Sequence, residues 1–208
     1  MSRSPRLVAV LIGSLLGAGC LHLPWRSRAV PECPGEWVSS EAIAGDFLLR
    51  QRWRIARGDE TWSLEVVAQK RGDELVIVGL HPFGAKLFTL RQRGLETSVE
   101  AVPAPALEVP PLNVLRDLHR ARFLAIEGAG ADGRFEAQRD GTEIRERHEA
   151  GRLRWRSFRR LAGDPAGRVT LRFEEPSESS EGAERVTIDN EWCGYRAEIT
   201  TWSAQALP

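Results

Sequence analysis

Apolar and polar residues alternate with a period of two over most of this chain, and this pattern constrains the fold more than any other feature. In the first run, Phe47, Leu49, Trp53 and Ile55 lie on one side of an extended chain, and the intervening arginines lie mostly on the other. Such alternation is typical of strands with one apolar and one wet face. It predicts strands near residues 47–57, 62–69, 74–80, 85–92, 95–102, 134–138, 142–149, 152–160, 168–174, 184–190 and 195–202.

One segment between the fifth and sixth runs has helical periodicity instead. Pro111 stands where a helix can begin, because its missing N–H would be unpaired there in any case. Leu112, Leu115 and Leu118 then recur every three residues, and polar residues lie on the other side. The segment 111–123 is therefore predicted to be a short amphipathic helix of about three turns.

Five predicted strands thus precede the helix and six follow it. Strands joined by tight turns pair antiparallel, since parallel pairing needs long crossovers. A large antiparallel sheet curls to bury its apolar face. The predicted fold class is mainly β: an open antiparallel half-barrel of about eleven strands, with the helix as a lid over the concave side.

One helix does not fill the concave side of so large a sheet, so we expect an apolar cavity between helix and sheet. An acyl chain gains roughly 0.8 kcal/mol per buried CH₂ and would bind in such a cavity by burial alone. The alternative is a core filled by the protein's own side chains. The expected cavity and lid residues are Trp53, Trp62, Leu64, Ile77, Phe88, Leu112, Leu115 and Leu118.

The first twenty residues have the layout of a secretory signal. Arg3 and Arg6 precede an apolar run over residues 7–18, which is shorter than the roughly 20 residues of a membrane span. The run leads into Gly17-Ala18-Gly19-Cys20, which resembles the lipobox of bacterial lipoproteins, although the lipobox usually has leucine where Gly17 stands. An ordinary cleaved signal is the alternative.

The lipobox resemblance implies a signal peptide over residues 1–19 and lipid attachment at Cys20. We then expect a lipidated N-terminus and proline-rich tether over residues 20–40, followed by the β domain over 41–208. Leu21, rather than an aspartate, follows the cysteine. This favours a lipid-anchored protein at the outer membrane that faces the periplasm.

Charge and cysteine usage narrow the function further. The chain has 29 basic and 29 acidic residues, so it has no basic excess with which to hold a nucleic acid.

Besides Cys20, the cysteines are Cys33 and Cys193. In an oxidising compartment these two are a candidate disulfide, and the alternative is two buried thiols that never meet.

No catalytic or metal-binding constellation stands out in the sequence. The four histidines, His22, His81, His119 and His148, lack the spacing of metal ligands. No nucleophile elbow, phosphate loop or dinucleotide fingerprint is present. We therefore expect no catalytic residues, no metal and no cofactor, and a protein that is not an enzyme.

Two short segments resemble a known family. His81-Pro82-Phe83-Gly84 lies between the third and fourth predicted strands, and Pro111-Leu112-Asn113-Val114-Leu115-Arg116 opens the helix. Both are similar to the outer-membrane lipoprotein receptor LolB, which has a Pro-Leu-Gly turn and then a Pro-Leu-Asn-x-Leu-Arg segment. The stretch 80–88 also resembles an uncharacterised bacterial lipoprotein family related to LolB.

The resemblance implies an open eleven-stranded barrel whose cavity accepts the acyl chains of lipoproteins handed over by a LolA-like periplasmic carrier. It also implies that Phe83 stands where LolB has an exposed leucine that helps to place the cargo in the membrane. With Pro82 and Gly84, Phe83 would form a membrane-insertion tip. The alternative is that the ring folds back and caps the barrel end.

The leading hypothesis is an outer-membrane-anchored lipoprotein that binds acyl chains and assists lipid or lipoprotein placement in the membrane. Its expected partners are acyl chains or lipoprotein cargo, a LolA-like carrier, and the membrane through the lipid anchor. We expect a monomer. The alternative is a structural or assembly lipoprotein whose filled barrel is a scaffold for a protein partner, and a weaker option is an accessory to a lipid-modifying enzyme.

Overall fold

The computed structural model describes residues 30–102, 109–174 and 183–208. A short 3₁₀ turn at Ser40–Ala42 precedes the regular elements. In chain order these are β1 (Phe47–Arg57), β2 (Glu60–Arg71), β3 (Glu74–Leu80), β4 (Lys86–Arg93), β5 (Glu96–Ala101), α1 (Pro111–Arg122), β6 (Gly133–Arg139), β7 (Thr142–Glu149), β8 (Arg152–Arg160), β9 (Arg168–Glu174), β10 (Glu184–Asn190) and β11 (Tyr195–Ala206).

The eleven strands form one antiparallel sheet in the order β5-β4-β3-β2-β1-β11-β10-β9-β8-β7-β6. Neighbours in space are neighbours in sequence, except where β1 pairs with β11 and so joins the two ends of the domain. The sheet is open, because β5 and β6 have no pairing with each other. The predicted fold class is confirmed: mainly β, an open eleven-stranded antiparallel sheet, and a single helix among the described residues.

Two strands extend beyond their predicted bounds by two or more residues at one or both ends. β2 begins at Glu60, because the tight turn through Gly58 (φ +57°) lets Glu60 pair directly with Arg57. β11 continues to Ala206, because the start of β1 supplies a partner for it at Phe47. Pairing with the neighbouring strand, rather than the local sequence pattern, therefore determines where β2 begins and where β11 ends.

The apolar face of the sheet and the leucine stripe of α1 bury each other. Val114, Leu115 and Leu118 of the helix have no exposed surface. They belong to one hydrophobic cluster that draws on strands from both halves of the sheet, including Trp53, Leu90 and Leu171. The helix therefore closes the concave side, as the amphipathic pattern predicted.

Residues 30–38, which we call the N-terminal strap, lie across α1 on the side away from the sheet. Cys33 forms a disulfide with Cys193 in the turn between β10 and β11, with the two Cα atoms 5.8 Å apart. Val30 and Cys33 are buried. Residues 30–38, which belong to the predicted tether over 20–40, therefore pack onto the domain. Cys20 and the segment 1–19 lie outside the described residues.

The strand order places particular turns at the same edge of the sheet. In an antiparallel sheet, every second turn lies at the same end of the strands. The turn that carries Phe83 shares its edge with the β1–β2, β6–β7, β8–β9 and β10–β11 connections, and we call this the Phe83 edge. The β2–β3, β4–β5 and β7–β8 turns lie at the opposite edge. The disulfide at Cys193 fixes the strap at the Phe83 edge.

Candidate functional site

The Phe83 turn presents a large apolar side chain to solvent. Phe83 is 93% exposed, and its neighbours Pro82 and Gly84 are exposed as well. The backbone is held by hydrogen bonds from the Gly84 N–H to the His81 carbonyl (2.7 Å) and from the His81 N–H to the Ala85 carbonyl (2.8 Å). Gly84 adopts φ +84°, which L side chains rarely adopt. The ring does not fold back over the barrel end.

His81 supports this geometry from inside the turn. Its Nδ1 accepts a hydrogen bond from the Phe83 N–H at 3.3 Å, and its ring centroid lies 5.0 Å from that of Phe83. The contact orients the Phe83 ring without covering it. The turn therefore holds the ring exposed in a defined geometry, so contact of the ring with another surface would need little further ordering of the turn.

The predicted cavity-lining residues are placed in the packed interior. Trp53, Ile77, Leu115 and Leu118 have no exposed surface, Phe88 is 1% exposed and Leu64 is 3% exposed, whereas Trp62 and Leu112 are partly buried. A side chain that a water-sized sphere cannot touch does not line a space wide enough for an acyl chain. In this conformation these residues pack against one another, and an open cavity beneath α1 stays a prediction for a conformation in which the helix has moved.

The polar face of α1 is buried too, which the sequence pattern did not predict. Asp117 accepts hydrogen bonds from Arg120 (2.8 Å) and from the Tyr195 hydroxyl on β11 (2.5 Å). Asp117 is 1% and Arg120 2% exposed. Burial, and then the Asp117 charge, raise the pKa of Tyr195 well above its ordinary value, so the hydroxyl remains a donor.

The strap contacts the rest of this polar face. The Asn113 amide accepts from the Cys33 N–H and donates to the Pro31 carbonyl, both at 2.8 Å. Arg116 Nε donates to the Gly35 carbonyl at 3.0 Å, and Arg120 donates to the Pro34 carbonyl at 2.8 Å. Asn113, Arg116 and Arg120 therefore bind the backbone of the strap, and the helix is held between strap and sheet.

His119 links the strap, the helix and β4. Its Nδ1 accepts from the Val38 N–H at 3.2 Å, and its Nε2 lies 3.0 Å from Gln92 Oε1. Because Gln92 Nε2 already donates to the Val38 and Gly94 carbonyls, Gln92 Oε1 is the acceptor, and His119 is neutral with its proton on Nε2. Burial lowers the pKa of His119 to about 3, which agrees with this assignment.

A second buried polar cluster holds the carboxyl end of the helix. Arg156 donates to Glu146 at 2.7 Å and to the Arg120 carbonyl at 2.6 Å. Glu146 also accepts from the Ile126 N–H at 3.1 Å and contacts His148 Nε2 at 2.9 Å. Arg156 thus binds a carbonyl that the helix leaves unpaired at its end. Both ends of the helix are fixed by side chains.

Sequence reasoning missed these residues because their partners are distant along the chain. Asn113 and Cys33, for example, are 80 positions apart. The one indication in the sequence was the Cys33 and Cys193 pair, since a disulfide there requires the N-terminal segment to lie near the last hairpin. Asp117 and His119 are two positions apart in the sequence, and this spacing on a helix did not indicate a common role.

The structure adds neither a metal cluster nor a membrane-spanning helix to this arrangement. Across residues 30–102, 109–174 and 183–208, no three His, Cys, Asp or Glu side chains converge to hold a metal ion. Within the same ranges, no helix has the length and apolarity needed to cross a bilayer. An open cleft of about 880 Å³ is lined by β6–β9. Its walls carry arginines and glutamates together with Phe135, Trp155 and Phe173, and none of the predicted cavity residues lines it.

Comparison with known proteins gives a family and a structural similarity. No curated protein matches the sequence. Among solved structures, the chain is similar to the LolA superfamily protein NE2245 from Nitrosomonas europaea, at 13% identity and a TM-score of 0.48, over 82% of this chain and 91% of that one.

The family model that matches is described as a protein of unknown function, DUF3261, and it aligns with residues 48–203. The match begins within β1 and ends within β11, so it takes in the whole sheet and the helix. It covers well over half of the 208 residues. The chain therefore belongs to the DUF3261 family of proteins of unknown function.

Proposed function

We propose that this protein is a LolB-like lipoprotein, anchored through Cys20 to the periplasmic face of the outer membrane, that assists the placement of lipids or lipoproteins in that membrane. It acts without catalysis and without a cofactor. Its cargo is an acyl chain or an acylated protein, delivered by a LolA-like carrier. Phe83 enters the membrane as the insertion tip.

The single observation that carries this proposal is the exposure of Phe83. A phenylalanine 93% exposed on a rigid turn is unfavourable in water, and burial of a phenylalanine side chain is worth about 1.5–3 kcal/mol. Insertion of the ring into the headgroup region recovers this free energy. The strap, which would connect to the anchor, is fixed at the same edge.

Acyl binding requires the interior to open. The side chains beneath α1 fill that space in the described conformation, so a chain enters only when the helix and the strap move away from the sheet. The polar contacts of Asp117, His119 and Arg156 are the contacts that such a movement breaks. Transfer of the acyl chain to the membrane would let the helix return and re-form them.

Phe83→Glu tests the insertion tip. We expect the variant to fold normally, because the side chain contacts almost nothing, and to lose delivery of an acylated cargo protein to vesicles. Leu95→Glu is the matched control, since Leu95 is 63% exposed in the β4–β5 turn at the opposite edge. Normal delivery by a folded Phe83→Glu protein would refute the role of Phe83.

A second candidate function is favoured by the packed interior itself. A filled barrel anchored to the membrane is a scaffold for a protein partner, and it needs no opening of α1. Native mass spectrometry of the non-lipidated protein distinguishes the two candidates. Copurified lipid of fixed stoichiometry supports acyl binding, and its absence even after incubation with free fatty acid leaves the scaffold.

A further inference from the structure

We propose that the open cleft beside the β8–β9 loop binds the phosphate group of an anionic phospholipid. This inference rests on the proposed membrane contact of Phe83 and deepens it, because it gives that contact a second point with a charge preference. The cleft has a volume of about 670 Å³. Its charged lining residues are Arg159, Arg160, Arg168, Arg172, Asp189 and Glu191.

Two of these arginines occupy cross-strand positions in which like charges are unfavourable. Arg159 and Arg168 are directly opposite each other on β8 and β9, and like charges in that position are destabilising. Arg159 is offset by Glu143, which it contacts at 2.9 Å. Within the described residues, the Arg168 side chain makes no ion pair. The pair therefore holds uncompensated positive charge next to an open cleft.

The two carboxylates in the cleft, Asp189 and Glu191, are outnumbered by its four arginines, so its formal charge stays positive. Glu191 accepts a hydrogen bond from the Arg168 backbone N–H at 2.9 Å and so supports the loop. Asp189 lies opposite Arg196 on β11. Guanidinium groups bind phosphate oxygens through paired N–H donors, and a phosphodiester between Arg159 and Arg168, which lie on the same face of the sheet, would receive charge-assisted hydrogen bonds from both.

The position of the cleft identifies the source of the phosphate. The β8–β9 loop lies at the Phe83 edge, where the strap is also fixed by Cys193. The Leu161 N–H donates to the Gly141 carbonyl at 2.9 Å, which ties this loop to the β6–β7 turn of the same edge. Leu161 is itself 44% exposed. A surface entered by Phe83 thus brings lipid headgroups to the arginines, with Leu161 as a second apolar contact.

The test uses the mature sequence, residues 20–208, with Cys20→Ser so that no acyl chain anchors it. Cosedimentation is measured with phosphatidylcholine vesicles and with vesicles containing one third phosphatidylglycerol. We expect tighter binding to the anionic vesicles. An Arg159→Gln/Arg168→Gln variant should lose this preference, at about fivefold per arginine. Binding to the neutral vesicles should not change.

Arg134→Gln/Arg147→Gln is the matched control, because these arginines are also directly opposite each other but near the opposite edge. It should bind both vesicles as the unmodified protein does. If the control loses the same preference for anionic vesicles, the effect depends only on net charge and the proposal is overturned. Unchanged binding by the first variant would also overturn it.

Two further arms separate the alternatives. If inorganic phosphate binds to the cleft with the affinity of the vesicles, the site takes a free anion and the proposal is overturned. Phe83→Ser, which removes the ring without adding a charge, should lower binding to both vesicles equally. If Phe83→Ser has no effect while the arginine variant loses the anionic preference, the insertion tip fails and the headgroup site stands.

Discussion

The Tyr195 hydroxyl donates to Asp117 at 2.5 Å, and this hydrogen bond joins the last strand of the sheet to the only helix of the described chain. The same carboxylate accepts from Arg120 at 2.8 Å. Tyr195 is 4% exposed, so all three groups are shielded from water. The position of the helix is therefore set by a polar contact as well as by its leucines.

Asp117→Ala tests how much this contact contributes. The change leaves the Arg120 cation buried with only the Pro34 carbonyl as a hydrogen-bond acceptor. We expect the free energy of unfolding to fall by about 3–5 kcal/mol, as for other broken buried ion pairs. Urea denaturation measures this loss of free energy. The control is Glu65→Ala, which removes an exposed ion pair with Arg52 and should cost less than about 1 kcal/mol. Similar losses in both variants would contradict a stabilising role for the buried Asp117–Arg120 pair.

The disulfide makes a second prediction, about the strap. Cys33→Ser/Cys193→Ser should lower the free energy of unfolding by about 2–5 kcal/mol, because the unfolded chain is no longer closed across the domain. It should also let the strap detach locally, since the remaining contacts with α1 are non-covalent: hydrogen bonds, the Glu32–Arg116 ion pair and the Trp37 ring against Arg116. Limited proteolysis should then cut within residues 30–38 before the sheet is attacked. Equal protease resistance with and without the disulfide would show that the non-covalent contacts alone hold the strap.

Gly79 tests how tightly the backbone packs against Phe88, and Gly130 provides the control. A Cβ at this position would lie 2.1 Å from a ring carbon of Phe88, which is fully buried. Gly79→Ala should therefore displace the ring and cost about 1–3 kcal/mol. Gly130→Ala adds the same methyl group where no atom lies within 4 Å, and it should be nearly neutral. Thermal unfolding of both variants decides the matter, and equal midpoints would mean that Phe88 moves without cost.

The strands and the helix were predictable because each depends on a local period. The run from Phe47 to Ile55 contains its own evidence for one buried face. The burial of Arg116 and Arg120 was not predictable in this way, because a charged helix face is ordinarily solvated. Only the strap, which begins some 80 residues earlier in the chain, makes these arginines interior residues. Likewise, whether the concave side is empty or filled depends on side-chain volumes that alternation does not reveal.

His119 predicts how stability depends on pH. Its pKa is about 3 in the folded protein, against an ordinary value of 6.5, because the buried ring is desolvated. Below pH 6.5 the unfolded chain therefore takes up a proton that the folded chain does not, and unfolding becomes more favourable. The contribution is fully present above pH 6.5 and falls by about 1.4 kcal/mol per pH unit below it, or about 2 kcal/mol by pH 5.

Urea denaturation from pH 7.5 down to pH 5 measures this loss, and a variant isolates it. His119→Gln should be less stable at pH 7.5, because the contacts to Val38 and Gln92 are disturbed, yet its stability should fall less steeply between pH 6.5 and 5. His81→Gln changes an exposed histidine and should keep the original slope. If His119→Gln has the same slope as the unmodified protein, the acid sensitivity arises from another group, and the strap is not held by a neutral imidazole.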